Sequence, residues 1–117
     1  MNSRPLQAAL SILQKAGKLH QVGNEFLPPA SYEDIIDTAN DFINEQGFVT
    51  TLQIKGALRE DGYFVKQRTI SDVMTYAVEN NLFEFTYVNT DGKRHRLFFD
   101  ETVPEHIAVL AYQEFIK

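Results

Sequence analysis

Residues 57–71 read Ala57-Leu58-Arg59-Glu60-Asp61-Gly62-Tyr63-Phe64-Val65-Lys66-Gln67-Arg68-Thr69-Ile70-Ser71, and two helical patterns meet inside them at a tight turn. Gly62 stands where a helix ends on a left-handed residue, Tyr63 to Lys66 make the turn, and a new helix starts near Gln67. Downstream, Ile70, Val73, Met74, Ala77 and Val78 recur at i, i+3, i+4, i+7 and i+8, the spacing of one apolar helix face, while the outer face is polar. Upstream, Ile54, Ala57 and Leu58 give the preceding helix its inward side, with Thr50 or Thr51 as its cap. Gly56 within that helix suggests close packing on a neighbour.

Working outward, Ser31 followed three residues later by Asp34 has the form of a capping box, and Tyr32, Ile35, Ile36, Ala39, Phe42 and Ile43 make one broad stripe up to Gly47. Phe48-Val49 suits a short strand. After Asn80-Asn81 the period changes to two: Phe83, Phe85 and Tyr87 alternate with Glu84, Thr86 and Val88, and Lys93 to Phe99 returns as a second strand beyond an Asp91-Gly92 turn. The last helix starts at Thr102 or Pro104, and Ile107, Val109, Leu110, Ala111, Tyr112, Phe115 and Ile116 cover most of its circumference. Such a helix needs more than one neighbour. We expect Ile107 and Leu110 to dock on the core and Val109, Tyr112, Phe115 and Ile116 to form a homodimer face, unless the N-terminal helix covers them. That N-terminal helix is expected over Arg4–Lys15, with Leu6, Ala9, Leu10 and Leu13 inward; Lys18–Leu27 suits a short hairpin or extended arm, and Pro28-Pro29 marks a boundary.

Helix, short strand, helix, tight turn, helix and β-hairpin is the order of a winged helix-turn-helix. The expected fold is therefore α+β, a three-helix core plus a hairpin wing, with helical extensions at both ends. Residues 1–30 are the N-terminal helix and arm, 31–99 the winged-helix domain and 100–117 the C-terminal helix. The stretch 57–71 resembles the DNA-binding domain of the bacterial arginine repressor family, which shows an A-L-[KR]-E-x-G run and then V-x-Q-x-T-[VI]-S. The resemblance implies that Gln67, Thr69 and Ser71 enter the major groove. Where that family usually has Arg after the Ser, this chain has Asp72.

The 117 residues, 44% hydrophobic, suffice for one core, and zero cysteines exclude disulfides, thiolate metal sites and cysteine nucleophiles. No apolar run reaches membrane-span length and no signal-peptide layout opens the chain, so a cytoplasmic protein without membrane contact is expected. The net charge is −5, yet from Val49 to Phe99 seven basic residues face six acidic ones, and the excess acid lies in the flanks. His20, His95 and His106 show no metal-ligand spacing, and phosphate-loop and dinucleotide fingerprints are absent, so no catalytic role, metal or cofactor is expected. The carboxylates Glu33, Asp34, Asp37, Asp41 and Glu45 read as a solvated helix face.

Double-stranded DNA is the first expected partner, for a small transcriptional or replication regulator. Gln67 and Arg68 suit base edges and Lys66 a phosphate; Arg68, Asp72, Thr75 and Glu79 lie opposite the inward Ile70, Thr69 and Ser71 are brought to the groove by the resemblance, and Lys93, Arg94 and Arg96 suit a wing contact. The same basic run also serves as protection of a sheet edge against pairing. The alternative is a protein-interaction adaptor on the same scaffold, without DNA binding.

Overall fold

Two reciprocal caps fix where the first helices begin. Ser31 Oγ accepts from the Asp34 N–H at 3.1 Å while the Asp34 carboxylate accepts from the Ser31 N–H at 2.8 Å, which starts helix α1, Tyr32–Gln46. Thr50, rather than Thr51, repeats the device with Gln53 to start α2, Thr51–Glu60. Helix α1 stops at Gly47, whose φ of +87° is left-handed backbone that costs glycine nothing. Helix α3, Gln67–Glu79, follows the tight turn and begins at Lys66 with no side-chain cap.

The computed structural model describes residues 20–22 and 25–117, and the helix expected over Arg4–Lys15 lies outside them. Strands β1, His20–Val22, and β2, Glu25–Leu27, pair antiparallel as the short hairpin alternative for this arm. Strands β3, Glu84–Thr90, and β4, Lys93–Phe99, pair in register from Thr90↔Lys93 to Glu84↔Phe99. Asp91 and Gly92 both take positive φ, +53° and +78°, the two-residue turn whose twist matches that of the strands. Helix α4, Glu105–Phe115, completes an α+β architecture.

The three apolar stripes have mainly each other for cover, and they meet. Ile35, Ala39 and Ile43 of α1, Ile54 and Leu58 of α2, and Ile70, Met74 and Ala77 of α3 are buried in one cluster, which Val49, Val65, Phe83 and Phe98 close. Phe42 and Val73 pack half-buried at its margin. The expected strand at Phe48-Val49 is realised as one residue: Val49 and Phe98 exchange two backbone hydrogen bonds of 2.9 Å, joining the α1–α2 connection to β4. Pro28–Ala30, expected as a boundary, is bonded to the α2–α3 turn, with the Phe64 N–H donating to Pro28 O at 2.8 Å and the Ala30 N–H to Phe64 O at 3.1 Å. Gly56 faces open space, so the close approach expected there is absent; α2 meets its neighbours through Ile54 and Leu58 instead.

The second face of the hairpin is covered too. Val88, Leu97 and Phe99 pack with Phe48 and with Ala108 and Tyr112 of α4 in a second cluster. This reverses part of the alternation read from sequence: Val88 is buried and Tyr87 is exposed, because α4 lies over the Val88 side. The docking side of α4 is likewise not the expected one. Ile107 and Leu110 remain 44% and 55% exposed, while Ala108 and Tyr112 are buried and Val109 and Ala111 half-buried. The small Ala108 lets the helix approach the sheet, and the Tyr112 hydroxyl reaches its polar partners, Thr90 Oγ1 and, at 2.8 Å, His95 Nε2. Among the described residues no helix is long and apolar enough to cross a membrane.

Met74 is fully buried at the junction of the three stripes. A carboxylate there has no partner, and a buried unpaired charge costs several kcal/mol against a total domain stability of about 5–15 kcal/mol. Met74→Asp should abolish the cooperative thermal transition by circular dichroism; a transition kept near the wild-type midpoint would mean that α3 presents another face to the core.

Candidate nucleic-acid interface

The polar face of α3 is held beside the β3–β4 hairpin by one side chain. Arg96 projects from β4 with its guanidinium over the rings of Phe98 and Phe85, at 4.9 and 5.4 Å from their centroids. Its Nη1 donates to Thr75 Oγ1 at 2.8 Å, and its Nη2 donates to Ser71 Oγ at 2.8 Å and to Ser71 O at 3.1 Å. Thr75 Oγ1 in turn donates to Ser71 O at 2.9 Å. Ser71 and Thr75 sit one turn apart on α3, so a planar fork with several donors spans both hydroxyls in a fixed geometry that a rotatable ammonium does not supply. Three residues expected at DNA, Ser71, Thr75 and Arg96, are therefore engaged with one another.

The strand period divides the basic run that looked continuous in sequence. Arg94 shares a face with Arg96 and stacks on the exposed Tyr87 ring, 4.2 Å from its centroid. Lys93 and His95 belong to the other face, where His95 meets Tyr112. A shallow cleft of about 330 Å³ is lined by Thr51 of α2, Gln67 and Ser71 of α3, and Tyr87, Arg94, His95 and Arg96 of the hairpin. Gln67 and Arg94 thus line one cleft, and Lys66, Arg68 and Thr69 are exposed around the same helix end.

The electrostatics of this end are one-sided. The first-turn N–H groups of α3 carry the positive end of its dipole, and no side chain caps them. Lys66 and Arg68 stand at that end, an arrangement that disfavours the isolated helix and concentrates positive potential at the surface. Among the described residues the one ion pair is Glu114–Lys117, so Lys66, Arg68, Lys93 and Arg94 have no carboxylate partner. Asp72 and Glu79 are exposed further along α3, and the exposed Glu33, Asp37, Asp41 and Glu45 lie on the side of α1 turned away from the core.

Of the expected dimer residues, Tyr112 is buried beneath the chain's own hairpin, Val109 is half-buried, and Phe115 and Ile116 are exposed. Sequence reading missed both polar clusters, Arg96 with Ser71 and Thr75, and Tyr112 with Thr90 and His95. A serine and a threonine one turn apart on a polar face were the visible signal for the first, but their partner lies more than twenty residues away. Compared with known proteins, the chain matches no family model, no curated sequence and no solved structure.

Removing the fork should loosen the hairpin from α3. Arg96→Ala is expected to lower the unfolding free energy in urea by about 1–2 kcal/mol, the range for hydrogen bonds to a charged donor at a half-exposed site. Arg96→Lys should recover only part, since an ammonium on a flexible stem lacks the rigid fork and its stacking over Phe98 and Phe85. Equal stability of wild type and Arg96→Ala would exclude the clamp.

Proposed function

We propose that residues 31–99 are a winged helix-turn-helix that binds double-stranded DNA, with the N-terminal part of α3 in the major groove and the β3–β4 hairpin as a wing on the adjacent backbone. The observation that carries this reading is the set of exposed cations without carboxylate partners among the described residues, Lys66 and Arg68 at the α3 end and Lys93 and Arg94 on the hairpin, with Gln67 beside them. In this arrangement Gln67 reads adenine and Arg68 guanine at the base edges. Lys66, Thr69, Lys93 and Arg94 contact phosphates and fix the register. Arg96, Ser71 and Thr75 hold the wing at a set angle to the reading helix rather than touching DNA. The local resemblance to the arginine repressor family supports the same orientation of α3. A chain of this kind serves as a small transcriptional or replication regulator, with local positive potential overcoming a net charge of −5.

A second reading, a protein-binding adaptor, draws on Ile107 and Leu110, which α4 turns away from the core. The same two residues suit a homodimer, which would present two α3 helices to a pseudo-palindromic site. A dimer mass by sedimentation that falls to monomer in Leu110→Asp supports that assembly; a monomeric wild type rules it out.

The main reading is tested by fluorescence anisotropy of labelled mixed-sequence duplexes over a salt series. Arg94→Ala should weaken binding alike for all sequences and reduce the slope of log K against log salt by about 1, the loss of one phosphate contact. Arg68→Ala should also relax sequence preference in a selection from random duplexes, at a cost of about 1–3 kcal/mol at the preferred site. Absence of salt-dependent binding by the wild type at low ionic strength would leave the adaptor as the better account.

A further inference from the structure

A second cleft, of about 580 Å³, opens on the other side of the hairpin tip, between the N-terminus of α2 and the C-terminus of α4. Its walls carry three large apolar side chains left in solvent, Leu52, Phe115 and Ile116, which are 61%, 57% and 44% exposed. Leu52 comes from the first turn of α2 and the other two from the end of α4, so side chains far apart in sequence converge on one space. Lys93 and Arg94 stand at its rim without carboxylate partners among the described residues. Among the described residues no aspartate or glutamate lines the cleft. Its polar floor is already satisfied, since Thr90, His95 and Tyr112 hydrogen-bond to one another.

We propose that this cleft binds a small amphiphilic anion: an alkyl or aromatic body against Leu52, Phe115 and Ile116, and one carboxylate at Lys93. The volume falls in the range of about 300–1,000 Å³ typical of small-molecule sites, which are mostly apolar with a few placed polar groups. Charge complementarity selects an anion, because Lys93 is the charged side chain on this face of the hairpin and no carboxylate lines the cleft among the described residues. The apolar walls argue against a phosphodiester backbone, which has nothing to place against leucine and phenylalanine. The ends of three elements enclose the space, whereas peptide docking uses a groove that runs along a helix or a sheet edge. The proposal does not require the DNA reading to hold, although Gln67, Lys93 and Arg94 of the lining are also assigned to the duplex there, and its test uses no nucleic acid.

The test uses the full chain with 1-anilinonaphthalene-8-sulfonate, an aromatic anion that fluoresces in apolar surroundings, and with decanoate below its micellar concentration as competitor. Saturable binding at one site is expected, displaced by decanoate and not by decyltrimethylammonium at the same concentration. Leu52→Asp and Lys93→Glu should each weaken the probe by about tenfold or more, since each places like charge beside the ligand. Both residues are exposed, so thermal midpoints should stay close to wild type and loss of binding reports the site. In ¹H–¹⁵N spectra of the wild type, decanoate should shift the amides of residues 50–53, 90–95 and 115–116. Unchanged affinity in the variants, equal displacement by the cation, shifts centred elsewhere, or a response to an acidic apolar peptide with none to decanoate would each overturn the proposal.

Discussion

The β3–β4 hairpin has apolar residues on both faces, and both must be kept from water. One face supplies Phe98 and Phe85 to the cluster shared by α1, α2 and α3, and the other supplies Val88, Leu97 and Phe99 to the cluster under α4. The hairpin is thus a middle layer rather than an appendage. A two-stranded ribbon alone is marginal in water, so its order depends on being covered from both sides. The Val49–Phe98 hydrogen bonds and the Arg96 fork add directional constraints to this non-directional burial, fixing how the sheet lies against α3.

What sequence could reveal follows from the range of each interaction. Caps, left-handed stops and the Asp91-Gly92 turn act over two to four residues, and Ser31 with Asp34, Gly47 and Gly62 could be read directly. The α3 stripe was equally legible, because helical period alone assigns Ile70, Met74 and Ala77 to one side. The two sides of α4 were not. Seven apolar residues around one axis leave its docking direction undetermined, and the choice fell to Ala108 and Tyr112 through a small side chain and two distant hydroxyl partners. Nor could composition distinguish Arg94 from Arg96. Both are basic and share a strand face, but only Arg96 lies opposite Ser71 and Thr75 in space.

The same separation governs the candidate interface. Its exposed cations could be named from sequence; that they lack carboxylate partners required the tertiary arrangement. Positive charge at the start of α3 works against the helix dipole, a local disadvantage offset by the burial of Ile70, Met74 and Ala77 on the opposite side. Side chains that weaken an element locally are tolerated where packing elsewhere holds it.

The placement of α4 also bears on the order of assembly. Its docking surface, Val88, Leu97 and Phe99, exists as a surface only after β3 and β4 have paired, while that pairing runs through a turn of minimal loop length. Short-range contacts close before distant ones because their loop entropy is smaller. Strand pairing therefore precedes docking of the C-terminal helix, and the ribbon gains its full order only with the last element to arrive, α4. Its amides should exchange with solvent through an opening that leaves the three-helix cluster closed.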